Sequence, residues 1–255
     1  AVIVVHQGRI ETVAPREGFD IPSSALEVDV TGSWILPGLV DGHGHVERWA
    51  LSRYVIAGVT TVRDLHGEQD SILALREEVN LGGLVAPRVY SAGAMIDGAT
   101  YPTATEVATA DSARRAVDSR AVADVDYIKT YIHVTPALFK PLIDEANTFS
   151  LKVTAHLGLT DALTASQLGV AAMEHLSGIP EAASPKPDKF YAEHRAGFFR
   201  GWTYFEKSWA TLDSAALARV AQTLAERKVV LIPTLVLHET FSRLDDPAIL
   251  SHPDL

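Results

Sequence analysis

The sequence has no cysteine among its 255 residues, and this absence limits the kinds of site that it can form. Disulfide bonds and thiolate metal sites are excluded, so a metal would need histidine, carboxylate or a less usual ligand. No apolar run approaches about 18 residues, which argues against a membrane span. Acidic residues outnumber basic ones by 32 to 22, and the net charge of −10 argues against a nucleic-acid surface.

A signal peptide is not visible either, and we expect a cytoplasmic protein. Export stays open, because the chain begins with Ala1 and its natural N-terminus is expected to be missing. The length fits one large α/β barrel or two smaller domains, and an apolar fraction of 47% is ordinary for a globular protein.

Residues 1–33 have short alternating apolar runs that predict a small β-sheet, with a turn at Gln7-Gly8 and a further run at Leu26–Val30. From Trp34 onwards, short apolar runs alternate with helical patterns, which is typical of parallel βαβ units. We predict seven strands here: Ile35–Val40, Thr60–Asp64, Arg88–Ala92, Tyr127–Tyr131, Lys152–Ala155, Ala171–Glu174 and Val229–Leu235.

Helices are clearest at Pro136–Phe149, with Thr135 as its expected N-cap, and at Asp213–Lys228. Residues 177–212 interrupt the alternation with three prolines followed by an aromatic stretch, and we predict a long loop or insertion over one barrel mouth. The predicted domains are 1–33, part of a small β-sandwich, and 34–255, a hydrolase barrel.

Candidate metal ligands stand at the ends of the predicted strands. The run LPGLVDGHGH at residues 36–45 places His43 and His45 two apart, so their side chains share one face of a strand and can converge on one ion. Lys129, His156 and His175 follow three later apolar runs. Each residue alone has a structural alternative, but five in order favour a TIM-type barrel, whose functional groups cluster at the carboxyl ends of strands.

These motifs, together with GVTTVRD at residues 58–64, resemble the amidohydrolase superfamily, nearest its imidazolonepropionase and dipeptidase-like (X-Pro peptidase-like) branch. The resemblance covers residues 1–240. It implies an α/β fold of the (β/α)8 barrel type and two divalent metal ions, with zinc expected and manganese, cobalt, nickel or iron also compatible with the ligands. His43 and His45 would bind one ion, His156 and His175 the other, and Lys129, carboxylated by carbon dioxide, would bridge them.

The implied reaction is hydrolysis of an amide C–N bond by a metal-bridging hydroxide, with Lys129, His156 and His175 as catalytic residues. The expected substrate is a dipeptide or an N-acyl amino acid. A cyclic amide hydrolase or lactonase is the second hypothesis, and a non-catalytic metal-binding scaffold is an alternative of another class. A deaminase is disfavoured, since deaminases of this fold do not need the strand-four lysine.

The resemblance also implies an aspartate at the end of an eighth strand, which is absent from this chain. We therefore expect an incomplete barrel of strands 1–7, completed by the missing part of the same protein or by a complementary chain, and inactive alone. Tyr131, His133, His66 and His238 are predicted substrate contacts, with simple packing as the alternative. Neither a nucleic acid nor a membrane is expected as a partner, and homo-oligomers stay open.

Overall fold

The structure is a computed structural model that describes residues 1–251, so the last four residues of the predicted barrel domain lie outside the described part. The chain divides into two compact units, Ala1–Pro37 and Gly38–Leu255. The assignment of residues 1–33 to a sandwich domain and of residues 34–255 to a barrel stays a prediction.

The first unit contains one antiparallel hairpin of β1 (Val2–His6) and β2 (Arg9–Ala14). Gln7 and Gly8 both have positive φ, 49° and 73°, as a two-residue hairpin turn requires. The predicted run Leu26–Val30 was wrong as a strand. Its apolar side chains are exposed, Leu26 by 90%, and it pairs with no strand among the described residues.

The second unit is mixed α/β with two parallel sheets. One sheet has the order β3-β4-β5 and the other β11-β10-β9-β8-β6-β7, with every pairing parallel. Their strands are β3 (Leu39–Gly44), β4 (Val59–Asp64), β5 (Arg88–Ser91), β6 (Ile96–Asp97), β7 (Thr105–Glu106), β8 (Ile128–Thr130), β9 (Val153–Ala155), β10 (Ala172–Glu174) and β11 (Val230–Ile232).

Six of the seven predicted ranges contain the whole of an observed strand, except for at most one residue at one end. The first predicted strand is shifted. It was predicted at Ile35–Val40, but the ladder begins at Leu39, whose N–H donates to Gly58 O at 2.9 Å. Pro37 has no N–H to donate, so the strand starts beyond it.

Helices follow most of the strands. They are α1 (Leu51–Ile56), α2 (Gln69–Asn80), α3 (Ala110–Val122), α4 (Pro136–Thr148), α5 (Ala162–Leu168), α6 (Ile179–Ala183), α7 (Pro187–Ala196), α8 (Phe198–Ser208), α9 (Ser214–Glu226), α10 (Leu235–Ser242) and α11 (Pro247–Leu250). In α4, Pro136 begins the helix as predicted, and Thr135 holds the N-cap position without a side-chain hydrogen bond. No described helix is long and apolar enough to cross a membrane.

Of the two alternatives predicted for residues 177–212, a long loop or an insertion, the long loop was wrong, because most of this segment is helical in α6, α7 and α8. Pro180 and Pro187 lie in the first turns of α6 and α7, where a missing N–H costs no helical hydrogen bond. The main core lies between the strands of the larger sheet and helices α3, α4, α5 and α9, and includes Ile128, Phe139, Leu142, Met173 and Leu224.

Hydrogen bonds link the two residues before β8 to the smaller sheet. Asp126 N donates to Ser91 O at 2.9 Å, and the buried Tyr127 hydroxyl donates to Asp64 O at 2.6 Å. Within each sheet the strands run parallel, so their carboxyl ends lie at one edge of that sheet.

Candidate metal centre

The predicted ligands lie where parallel strands end. His43 is the second-last residue of β3, and His45 directly follows that strand. Lys129 is in β8, and His156 and His175 come directly after β9 and β10. The strand order brings Lys129, His156 and His175 together, since β8, β9 and β10 are neighbours in one sheet, whereas β3 belongs to the other sheet.

The four histidine rings form a continuous set of contacts. The ring centroids of His43 and His175 are 4.3 Å apart, those of His175 and His156 4.5 Å, and those of His43 and His45 5.5 Å. His156 and His175 are buried, whereas His45 is exposed. Histidines from the ends of three strands, separated by up to 132 positions in the chain, therefore meet at one place.

Hydrogen bonds fix which ring nitrogen carries the proton in the first two histidines. His43 Nδ1 lies 2.7 Å from Glu174 Oε2, and His45 Nδ1 lies 3.0 Å from the carbonyl oxygen of His66. A carbonyl or carboxylate oxygen only accepts, so Nδ1–H is the donor in both rings. Nε2 then carries the lone pair, which is the arrangement that metal-binding histidines adopt.

His175 is held in an uncommon backbone conformation. Its φ is 60°, in the left-handed region, and Thr234 beyond β11 has φ 48°. The His175 Nδ1 and Thr234 Oγ1 atoms are 2.7 Å apart and hydrogen-bonded, and His175 N donates to Ile232 O at 2.9 Å. Strained residues of this kind concentrate at functional sites, so the strain marks the ends of β10 and β11.

Lys129 is the one predicted ligand that is a cation in water. It is 3% exposed, and its Nζ has no hydrogen-bond partner. Burial, with Arg63 as a nearby positive charge, lowers the pKa of the ammonium to about 8, although Glu174 acts in the opposite direction. At pH 7 most of the Lys129 side chains keep their proton, but the neutral-amine fraction is larger than for an ordinary lysine.

Burial also lowers the pKa of three of the histidines. Desolvation is the largest cause for His43, His156 and His175, and the charge of Lys129 adds to it in each case. The imidazoles are therefore neutral at pH 7, and neutral imidazole is the form that binds a metal.

Glu174 is a fully buried carboxylate to which sequence reasoning gave no role. It accepts from His43, contacts Thr154 Oγ1, and lies 3.6 Å from the Arg63 guanidinium. Burial raises its pKa, but the His43 hydrogen bond and the Lys129 charge outweigh this and leave the pKa below its usual value. The one signal in the sequence was a glutamate inside an apolar strand, directly before a predicted ligand.

Asp64 supports the other side of the site. Its carboxylate accepts from Val46 N at 2.9 Å and from Ser91 Oγ at 3.0 Å, so it fixes the turn that follows His45. Like Glu174, it ends an apolar strand and is completely buried. Both carboxylates hold the histidine-bearing segments in place.

The predicted ligands suit a metal ion by their chemistry, although they do not form a ready-made metal site. Within residues 1–251, no group of three or more His, Cys, Asp or Glu side chains is arranged to hold a metal ion as it stands. The residues nevertheless fit one by their chemistry: neutral imidazoles with oriented Nε2 atoms, and a buried Lys129 Nζ without a partner.

Two of the predicted substrate contacts lie beside β8. Tyr131 has its ring 5.0 Å from that of His156, in edge contact. His133 is turned to Asp97, which accepts from its backbone N at 2.7 Å and its Nδ1 at 2.8 Å. The structure thus brings Tyr131 to the histidine cluster and bonds His133 to a buried carboxylate.

The other two are engaged with protein atoms. His66 Nδ1 accepts from Met95 N at 3.2 Å, and its Nε2 lies 3.2 Å from Pro102 O, so both nitrogens are used. His238, in α10, bonds to Glu206 at 2.6 Å and stacks on Trp202 with ring centroids 5.5 Å apart. Its Nε2 is buried without a partner.

Helix α8 lies over the cluster and adds two aromatic residues that were not among the four predicted substrate contacts. The Trp202 ring lies 5.7 Å from that of His156 and 5.6 Å from that of His175. Phe198 lies 6.4 Å from His156. The aromatic stretch was predicted to lie over one barrel mouth, but which of its rings contact which histidines follows only from the fold.

Comparison with known proteins places the fold. No protein-family model and no curated protein matches the sequence. Solved structures do match: an amidohydrolase (19% identity, 98% of this chain and 66% of that one, TM-score 0.68) and a candidate prolidase from Bifidobacterium longum (19%, 95% and 72%, TM-score 0.63). Phenylurea hydrolase B is similar over 96% of this chain and 78% of its own, at 17% identity and a TM-score of 0.58.

At these identities the similarity concerns the fold. An amidohydrolase is among these neighbours, so the comparison supports the predicted resemblance at the level of the fold. The chain has the fold of solved amidohydrolases, with its histidines and Lys129 at the strand ends of that fold.

Proposed function

We propose that the protein is a metal-dependent hydrolase that cleaves an amide C–N bond in a small substrate. One observation carries the proposal: His43, His45, His156 and His175 meet at the ends of parallel strands beside Lys129, whose buried Nζ has no partner. A buried amine without a partner costs stability, so its presence among neutral histidines favours a role in the site.

The residues would hold two divalent cations, with zinc as the expected metal. His43 and His45 would bind one, His156 and His175 the other, and Lys129 would bridge them as a carbamate. When bound, the cations would supply Lewis acidity to a substrate carbonyl and make a water nucleophile available near neutral pH.

The chain's own residues prepare this site. Glu174 accepts from His43, and Thr234 Oγ1 contacts His175, so both rings are held in position. Lys129 as a neutral amine can add its nitrogen lone pair to carbon dioxide and lose a proton, which turns a cation into an anionic ligand. Burial lowers the pKa of this amine and so favours the first step.

The mouth of the site is proposed to bind the substrate. Tyr131 and His238 are the best placed of the four predicted contacts, since Tyr131 touches His156 and His238 stacks on Trp202. His133 and His66 have their ring nitrogens bonded to protein atoms, so we propose that they position neighbouring segments. A dipeptide or N-acyl amino acid is the proposed substrate, and the naming of one structural neighbour as a candidate prolidase supports it.

The finer architecture belongs to the same proposal. Residues 38–232 would supply strands one to seven of an eight-stranded barrel, and residues 1–33 part of a small β-sandwich.

Metal content per chain tests the proposal. Elemental analysis should give about two metals in the parent protein and a sharp fall in Lys129→Ala, because the bridging ligand is lost. Lys152→Ala, at an exposed lysine next to β9, is the matched control and should keep the parent value. Fewer than two metals, unchanged in Lys129→Ala, would remove Lys129 from the site and contradict the proposal.

A further inference from the structure

Four aromatic side chains line one side of the histidine cluster, and we name them the aromatic wall: Tyr101, Tyr131, Phe198 and Trp202. Neighbouring ring centroids are 5.1 Å apart for Tyr101 and Tyr131, 6.2 Å for Tyr131 and Phe198, and 6.0 Å for Phe198 and Trp202. The last two pairs are stacked, with interplanar angles of 17° and 24°. Rings from a loop, a strand end and α8 therefore form one continuous surface.

The aromatic wall adjoins the proposed second metal position. Tyr131 and Trp202 contact the His156 ring at 5.0 and 5.7 Å, and Trp202 contacts the His175 ring at 5.6 Å. A group resting on this surface would lie within reach of a bond held at the histidines.

Exposure changes along the wall. Trp202 is 8% exposed, Tyr131 and Phe198 are half-buried, and Tyr101 is 40% exposed. The outer rings thus keep accessible surface beside the site. At the inner end, the Trp202 Nε1–H is buried without a hydrogen-bond partner. Such a donor needs an acceptor, and a carbonyl or carboxylate oxygen of a ligand would provide one.

Resting on the proposed function, we propose that the aromatic wall binds a planar apolar side chain of the substrate and makes the enzyme selective for aromatic dipeptides. Stacking on Tyr131 and Phe198 favours an aromatic ring, because both burial and ring–ring contact contribute. The wall is the specificity-determining surface, whereas the histidines and Lys129 act at the bond.

A cation would be the other ligand for an aromatic surface. The surroundings disfavour it here, since the wall adjoins the proposed dications. The Asp97 carboxylate below Tyr131 is also already committed, with Oδ1 accepting from His133 N and Oδ2 bonded to His133 Nδ1. The surroundings therefore favour an uncharged side chain over a cationic one, and the stacked rings favour a planar one.

Two variants with a matched control test this inference in the full chain loaded with zinc. Phe198→Ala and Tyr101→Ala remove half-buried or exposed rings of the wall, so neither should disturb folding, which circular dichroism would verify. Phe199→Ala is the control, since Phe199 is 78% exposed and adjacent to Phe198 on α8 but outside the wall. The substrates are the dipeptides Phe-Pro, Ala-Pro and Lys-Pro, together with Gly-Phe, Gly-Ala and Gly-Lys.

We expect the parent to prefer the phenylalanine dipeptide of at least one series by about 10-fold or more in kcat/KM. Phe198→Ala and Tyr101→Ala should each lower that value by about 3- to 10-fold, mainly through KM, and change the alanine dipeptides by less than about 2-fold. Phe199→Ala should behave like the parent. Equal losses for all substrates, gains for all of them, or a preference for lysine dipeptides would overturn the inference.

Calorimetric binding separates this inference from the proposed function. If no dipeptide is hydrolysed, tighter binding of a phenylalanine dipeptide that is lost in Phe198→Ala would support the wall and count against hydrolysis. Equal affinities for the phenylalanine and alanine dipeptides in both series would overturn the wall, whatever the activity.

Discussion

Replacing Lys129 by methionine should stabilise the metal-free protein, even though it should abolish the bridging ligand. Burial holds the pKa of the Lys129 ammonium at about 8, against an ordinary 10.5. At pH 7 this difference corresponds to about 3 kcal/mol against the folded state. Methionine has a similar length without the charge, so we expect a gain of about 1–3 kcal/mol in the free energy of unfolding.

The stability difference between the parent and Lys129→Met should depend on pH in a defined direction. Between pH 8 and 10.5 the unfolded chain keeps the Lys129 proton and the folded chain does not, so the parent gains stability as pH rises. The advantage of methionine should therefore be largest below pH 8 and vanish near pH 10.5. Urea unfolding in the presence of a chelator, at about pH 7 and about pH 9.5, would measure both values.

A control separates charge from general effects of the substitution. Lys152→Met alters an exposed lysine and should change the free energy of unfolding by less than about 0.5 kcal/mol. A loss of stability in Lys129→Met at pH 7, or a gain that is the same at both pH values, would refute the account of Lys129 as a buried amine without a partner.

The remaining predictions concern the residues that hold the ligands. Glu174→Gln should weaken zinc binding by about 10- to 100-fold, because it weakens the acceptor for His43 Nδ1–H, as competition with a chromophoric chelator would show. An unchanged affinity would mean that Glu174 does not orient His43. Hydrogen bonding to Asp97 raises the pKa of His133, so this pair stabilises the fold below pH 6.5, and the contribution is lost as pH rises through the raised pKa. In unfolding measured against pH, the difference between the parent and Asp97→Asn should thus shrink with rising pH, and a difference that grows would contradict this.

Much of the strand framework was predictable from the sequence, because short apolar runs bounded by polar residues define buried parallel strands. The exceptions have local causes. Leu26–Val30 alternates like a strand but has no partner among the described residues. The first barrel strand begins later than its apolar run, since Pro37 cannot donate to the ladder.

The ligand positions were predictable for a similar reason. His43, Lys129, His156 and His175 each come at the end of an apolar run, and the fold converts that shared position into proximity. Their hydrogen-bond partners were not predictable, because His43 and Glu174 are 131 positions apart in the chain. A single sequence does not specify which strand end faces which.

For the aromatic wall, residue spacing determines the secondary structure of the segment, and tertiary packing determines its position. Phe198, Trp202, Phe205 and Trp209 recur at intervals of four, three and four residues, which is a helical pattern and not that of a loop. The prolines before it obscured that pattern, although two of them only begin helices. The spacing explains why Trp202 and Phe205 are buried while Phe199 is exposed. It does not explain why Trp202 covers His156 and His175, because that depends on how α8 packs against the strand ends. If the aromatic wall determines specificity, then specificity depends on α8. The residue spacing of α8 predicts its helical form, but tertiary contacts determine its position in the site.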